Sequence, residues 1–405
     1  MSRLDELIAE LCPNGVPYRR FDQVCSLHAR IGWQRLTKSE YMPQGEFLLI
    51  TGTDFTSDHE IDFNRCVFVS KERYEQDPKI QVYNEDILIT KDGTIGKVAQ
   101  VHGLTKPATL NGGVFVVRSK DGNLNNRFIL HFLLSKHFTK VVDQQKTGST
   151  ISHLTQSLFS RIAIPVPPLL VQQEIVRILD SFTELTAELT AELTARKRQY
   201  EYYRKSLLSF GPQVTWGILG GLGKVSMCKR IMKDETSVEG DVPFYKIGTF
   251  GKKPDAYITR EKYEEYKTKY SYPKKGDILI SAAGTIGRAV IFDGEPSYFQ
   301  DSNIVWLAND ETKVLNSFLY YWYQTNPWKV ATGGTIARLY NDNIAGAKVP
   351  LLPIEEQKRI VNALNRLNTI CTDFTSGLPA EIAARQRQYE YYRDKLLTFQ
   401  ELKVE

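Results

Sequence analysis

Two stretches of the chain carry the same helical stripe. From about Leu169 to Leu208, apolar residues recur at Ile175, Leu179, Phe182, Leu185, Leu189, Leu193, Tyr200, Tyr203 and Leu207. Most steps are three or four residues, the spacing that lines one helical face. A second stripe runs through Ile360, Leu364, Leu367, Ile370 and Phe374, then resumes at Ile382, Tyr389, Tyr392 and Leu396. Ser376-Gly-Leu-Pro379 interrupts it and predicts a break with a restart at Pro379, because proline breaks a helix interior but suits its first turn. Forty helical residues make a rod of about 60 Å that needs a partner. Two such rods in one chain predict an antiparallel pair, with globular parts at opposite ends related by a pseudo-twofold.

Ahead of each rod the pattern changes. Short β-like runs (Phe47–Ile50, Asp86–Ile89, Val114–Val117) are bounded by turn residues such as Asp92-Gly93 and Asn111-Gly112-Gly113. A helix is predicted over Asn126–Lys140, matched by Asn316–Lys329. Proline-rich edges, Ile164–Pro168 and Val349–Pro353, then lead into the rods. The expected fold class is mixed α/β.

The parts repeat in order. Asp86–Gly96 (DILITKDGTIG) matches Asp277–Gly287 (DILISAAGTIG), Ser70–Glu75 matches Thr259–Glu264, and Gly148–Leu154 matches Gly333–Leu339. Ala195–Arg204 matches Ala384–Arg393 at nine of ten positions. Offsets stay between 185 and 191 residues, so the chain is an internal duplication. Inside the first rod, Thr186-Ala-Glu-Leu189 is repeated at once as Thr190-Ala-Glu-Leu193.

Composition narrows the chemistry. The 405 residues are 42% hydrophobic and 24% charged, with a formal charge of +5. That is ordinary globular material, and the mild basicity permits nucleic-acid binding without requiring it. The five cysteines are scattered, as reduced thiols are, and no clustered ligand set points to a metal. The acidic N-terminus has no secretory pattern, and the most apolar run, Ile162–Val171, holds three prolines, so a cytoplasmic chain is expected. Gly217–Lys224 is rich in glycine but has Ile218 and Val225 where a P-loop needs glycine and Ser/Thr; it reads as a linker. Glu311-Thr-Lys313 with Asp301 is too common a triplet to define a nuclease. Asn326-Pro327-Trp328 lacks the second proline of an adenine methyltransferase motif and reads as a helix end with an aromatic anchor.

A duplicated α/β domain on a helical rod suits a ligand with two separated recognition elements, and duplex DNA is the obvious one. The two R-x-R-Q-Y-E-Y-Y-R segments, the two D-I-L-I-x-x-x-G-T-I-G segments and the T-A-E-L tandem carry a family likeness. The chain resembles the specificity subunit of type I restriction–modification systems, in the group with tandem T-A-E-L repeats in the central helix. The resemblance implies target-recognition domains at 1–163 and 211–348, a central spacer helix at 164–210 and a C-terminal helical region at 349–405. Each domain would read one half of a split, asymmetric site in double-stranded DNA. Two modification subunits would dock on the helices and methylate adenine, and restriction subunits would join for cleavage. S-adenosylmethionine, ATP and Mg would belong to those partners; this chain would bind no cofactor or metal, contact no membrane and hold no catalytic residue. The break at Gly377–Pro379 departs from two equal rods and questions whether both modification subunits dock identically. The alternatives are a coiled-coil protein scaffold, or a methyltransferase or nuclease with unrecognised motifs.

Candidate DNA contacts in copy one are Arg30, Trp33, Arg35 and Lys38, with Lys91, Thr94 and Lys97 around the first G-T-I-G. Copy two offers Arg230, Lys233, Lys252 and Lys253, with Ser281, Thr285 and Arg288 around the second. Basic side chains there would neutralise phosphates, while arginine or Gln34 would read base edges; solvated charges and structural turns are the plainer reading. Gly148-Ser-Thr150 and Gly333-Gly-Thr335 are hinges into the rods or phosphate-touching turns. Arg198, Tyr200, Tyr203, Arg387, Tyr389 and Tyr392 are assigned to helix packing and subunit docking.

Overall fold

A computed structural model describes residues 2–146, 154–328, 338–373 and 375–402, apart from the side chains at 33, 145 and 146. Both proposed hinge tripeptides and Phe374 lie outside the described residues. The chain forms two compact units, Met1–Thr190 with Glu381–Glu405, and Ala191–Ala380. Each is built to one plan.

In the first unit, Cys25–His28, Val114–Ser119, Ile87–Thr90 and Val98–Gln100 form an antiparallel sheet in that order. A second sheet orders Val67–Val69, Phe47–Ile50, Ala108–Leu110 and Gln81–Val82, with Phe47–Ile50 parallel to Ala108–Leu110. The second unit repeats this with Gly223–Met227, Ile304–Asn309, Ile278–Ser281 and Ala289–Ile291. Its other sheet is Tyr257–Ile258, Val242–Tyr245 and Tyr298–Phe299, the last two parallel. Strands Ile87–Thr90 and Ile278–Ser281 are buried on both faces. That explains why they read as unbroken apolar runs rather than alternating ones.

Two predicted helices are shorter than expected. The first spans Asn126–Leu134, capped by the Asn125 side chain, and the chain breaks at extended Ser135 before Lys136–Lys146. Its counterpart, Asn316–Tyr323, ends before Asn326, which takes a left-handed φ of +54°, and Pro327 follows. Trp328 is buried against Tyr323, as an aromatic anchor.

The first rod is one helix, Leu169–Leu207, of 39 residues. The second is two helices, Ile354–Thr372 and Leu378–Leu396, broken where the proline pattern predicts. Asp373 builds the turn: its carboxylate accepts from the Thr375 backbone N–H at 2.7 Å and from the Ser376 hydroxyl. A side chain at Gly377 would meet the Asp373 and Thr369 carbonyl oxygens at 2.6 and 2.8 Å, so only glycine fits.

A buried glutamine fixes each rod to its domain. Gln172 accepts from the Asn125 N–H at 2.9 Å and donates to the Asn123 and Pro167 carbonyls. Gln357 does the same with Leu315, Lys313 and Leu352. In the first unit the rods run antiparallel. Tyr392 stacks on Phe182 at 5.4 Å, and Leu402 lies in the cleft that holds Leu169.

Each unit is completed by a tyrosine from the other repeat. In the first, Tyr389 and Asp180 lie 3.0 Å from the two ring nitrogens of buried His131. In the second, the Tyr321 hydroxyl donates to Asn365, and Tyr200 packs against the core that holds Tyr321. Tyr389 and Tyr200 occupy the same place in the duplicated Y-E-Y-Y-R segment.

The chemistry differs between units, with a consequence for pH. Burial pushes His131 below its ordinary value against the pull of Asp180, while Arg127 and Arg393 also disfavour its charge. Burial likewise lowers His59 and His28. A histidine held below its unfolded value near 6.5 stabilises the fold above that pH, and the contribution is lost as pH falls through it. The second unit contains none of the chain's six histidines. Hydrogen exchange across Ile129–Leu133, corrected for intrinsic rate, should therefore accelerate between pH 7 and pH 5, while exchange across Phe318–Trp322 changes less. His131→Tyr with Asp180→Asn, which imports the chemistry of the second unit, should suppress much of the difference. Equal responses in the two segments of the natural chain would contradict it.

Candidate nucleic-acid interface

The G-T-I-G segments are hairpin loops of identical construction. In copy one the Thr90 hydroxyl donates to the Thr94 carbonyl at 2.5 Å and accepts from the Lys97 N–H at 3.0 Å. In copy two the Ser281 hydroxyl donates to the Thr285 carbonyl and accepts from the Arg288 N–H at 2.9 Å. Each loop closes with the second glycine donating to the carbonyl of that hydroxyl residue, Gly96 to Thr90 and Gly287 to Ser281, both at 2.9 Å. Gly93, Gly96, Gly284 and Gly287 all have φ between +65° and +83°, a region that favours glycine. Ser281 is thus a buried loop clamp, and its expected DNA contact is corrected to a structural role. Thr94 and Lys97 stand exposed on the first loop, and Thr285 on the second. Arg288 is half-buried and donates to the Phe250 carbonyl at 2.9 Å.

The first loop forms one wall of a cleft of about 1040 Å³. Arg35, Lys38, Lys91, Thr94 and Lys97 line it, over a floor that includes Gly112-Gly113. Arg35 and Lys38 are exposed, and the Lys91 ammonium lies 5.2 Å from the Phe115 ring centre. The structure thus gathers six of the copy-one candidates, buried Arg30 among them, around one basic cleft. Two candidates are corrected. Arg30 is 2% exposed, and its guanidinium donates to the Leu110, Gln34 and Arg73 carbonyls, Gln76 and Thr109. Gln34 is also buried, donating to Asp77 at 3.3 Å and accepting from the Ile31 N–H. Both are thus bonded inside the domain rather than presented to a base. The Trp33 side chain lies outside the described residues.

In copy two a cleft of about 640 Å³ is lined by Arg230, Met232, Lys233, Lys246, Asn303 and Arg338, among others. Two of the copy-two candidates, Arg230 and Lys233, line it. Exposed Lys252 and Lys253, Thr285 and Arg288 do not line it. Lys38 and Lys233 are carried by the same device. Each opens a short 3-10 turn whose last residue, Glu40 or Glu235, accepts from the N–H of Thr37 or Met232 and pairs with Arg73 or Lys262. The Thr37 N–H and hydroxyl and Arg73 hold Glu40 below its ordinary value. The Lys262 ammonium, with the Met232 N–H, does so for Glu235.

On the rods, Tyr389 is buried, Tyr392 is stacked and Tyr200 is half-buried, so these three serve packing. Tyr203 is 41% exposed and set edge-on to Tyr202. The most exposed tyrosines of the segment are Tyr202 and Tyr391, at 69% and 60%, one helical turn from exposed Arg198 and Arg387. Sequence reasoning passed over Tyr202 and Tyr391 because they fall off the apolar stripe. Their identity in both copies was the available signal. Among the described residues no group of three His, Cys, Asp or Glu is placed to hold a metal, and no helix is long and apolar enough to cross a membrane.

Two β-domains with basic clefts, each fixed to a helical spacer, define a duplicated recognition protein. The chain belongs to the type I restriction–modification specificity subunits: the family described as Type I restriction modification DNA specificity domain matches residues 13–196 and 214–384. It is 51% identical over 324 residues to a Haemophilus influenzae protein described as a type I restriction enzyme specificity subunit, covering 78% of this chain and 83% of that one. It is 34% identical over 304 residues to the EcoR124I/EcoR124II specificity subunit of Escherichia coli, covering 70% and 74%. Among solved structures it resembles the HsdS subunit of Thermoanaerobacter tengcongensis, with a TM-score of 0.51 at 17% identity, over 96% of this chain and 97% of that one. A chain from work on complex assembly and conformational transition of the type I R-M system gives 0.60 at 17% identity, over 96% and 98%. These two likenesses establish the fold. The chain is a non-catalytic subunit with two target-recognition domains.

Proposed function

We propose that each cleft reads one half of a split, asymmetric DNA site, and that the chain belongs to the group in which the T-A-E-L tandem sets the spacing between halves. The duplicated pair of basic clefts carries this reading. Lys38, Lys97 and Lys233 neutralise phosphates and fix register, and groups deeper in each cleft meet base edges. Two modification subunits dock on the Arg198–Tyr202 and Arg387–Tyr391 faces and methylate adenine, with restriction subunits joining for cleavage, all in the cytoplasm. The internal duplication supports two equivalent docking faces, because exposed residues with no packing role are the same in both copies.

The test is reconstitution with the modification subunits followed by gel shift on duplex DNA across a salt series. Lys38→Glu with Lys97→Glu should weaken binding on all sequences alike and flatten the salt dependence by roughly two counterions. Tyr202→Ala with Tyr391→Ala should lower the recovered ratio of modification subunits without altering site choice. Salt-independent binding, or a changed site in the tyrosine variant, would refute the assignment.

A further inference from the structure

The same turn differs sharply between the two clefts. Between Ala108–Leu110 and Val114–Ser119, copy one has Asn111-Gly112-Gly113. Between Tyr298–Phe299 and Ile304–Asn309, copy two has Gln300-Asp301-Ser302-Asn303. Ser302 takes a left-handed φ of +50°, unusual for a residue with a side chain. Its carbonyl accepts from Nη2 of Arg338 at 2.8 Å. Arg338 is half-buried in the cleft wall, whereas Lys233 is exposed at the rim.

The charges single out Arg338. Asp301 pairs with Arg230 at 2.9 Å, and Asp255 pairs with Lys246 at 2.9 Å. The two carboxylates lining this cleft are thus committed to two of its bases. Among the described residues, Arg338 has no carboxylate partner, and Ser302 is its one hydrogen-bond acceptor. The result is a permanently charged, donor-only fork, anchored at one nitrogen and set behind the rim. A phosphate contact needs neither the depth nor the anchor. A base contact needs both, because a pre-oriented fork loses less freedom on binding.

Resting on the reading of this cleft as a DNA-recognition surface, we propose that Arg338 is a specificity-determining residue of the second domain. It takes the O6 and N7 acceptors of a guanine in the major groove, the edge that a two-donor fork matches. The Ser302 turn is its positioning element, and copy one, with glycines there, reads its half-site by other groups.

The test maps methylated adenines in genomic DNA from cells carrying the full chain with its modification subunits, for the natural protein, Arg338→Ala and Arg338→Lys. Both variants should make one guanine position in one half-site degenerate, with a loss of preference of about 5- to 150-fold. The other half-site should be unchanged. Lysine should not rescue, because it supplies charge without the fork. An unchanged motif in either variant would overturn the proposal. So would a uniform loss of methylation in Arg338→Ala that lysine restores, since that marks a phosphate contact. If Arg338→Ala is insoluble, Arg338→Lys and Arg338→Gln decide by the same criteria. A natural protein that yields no split motif would instead remove the DNA reading itself, and the proposal with it.

Discussion

Adding one Thr-Ala-Glu-Leu unit after Leu193 is expected to keep both half-sites and lengthen the spacer between them by one base pair. The local helix supports that expectation. Leu185, Leu189 and Leu193 form the half-buried stripe of this stretch. The Thr186 and Thr190 hydroxyls each donate to the carbonyl four residues back, at 2.8 Å. A four-residue unit repeats both features unchanged. It lengthens the helix by about 6 Å and turns its far end by a net ~40°. One base pair advances ~3.4 Å and turns roughly 34–36°. The rotations nearly agree, and the rod need not lie along the DNA axis. The unit boundary falls at Thr190–Ala191, inside the tandem. The other crossing, at Ala380–Glu381, lies just beyond the turn at Asp373–Gly377. A single alanine inserted at the same point would rotate the far end by ~100° and should abolish methylation. Motif mapping checks both variants; an unchanged spacer in the four-residue variant would make the tandem a passive piece of helix.

Much of this architecture was legible because duplication multiplies weak signals. The rods, the proline-marked break and the G-T-I-G loops each appear twice in the sequence, or once intact and once altered. What sequence could not supply was partners distant in the chain. Arg30 reads as a surface base until Leu110, Arg73 and Thr109 are seen to surround it, 43 to 80 residues away. Ser281 reads as a contact until its hydroxyl is found bound inside its own loop. The helix break at Ser135 is hidden because apolar residues continue on both sides of it. Gln172 and Gln357 were visible as a shared position just after the two proline edges, but a lone glutamine near a helix start carries no sign of being buried. Arg338 lies in a repeat match that marks the duplication but says nothing of its neighbour across the cleft, the Ser302 turn, 36 residues away.

The exchange of tyrosines between repeats constrains how a domain can be replaced. Residues 14–155 include His131, whose partners Asp180 and Tyr389 stay behind in any exchange. A donor domain with histidine at that position should dock on the natural helices. One with tyrosine should need Asp180→Asn as well, as Tyr321 has Asn365. A mismatched donor would take from the half-buried Asp180 carboxylate its contact with the His131 imidazole, a loss of about 1–3 kcal/mol, which should appear as poor folding rather than altered specificity.

The most direct measurement of the central claim is therefore the methylated motif before and after such an exchange. Adenine methylation would be mapped in cells carrying the modification subunits with the natural chain, and with a chain whose residues 14–155 come from a matched donor. Two independent readers predict a split motif in both, with one half replaced and the other half and the spacer length unchanged. Both halves changing together, or neither, would contradict it.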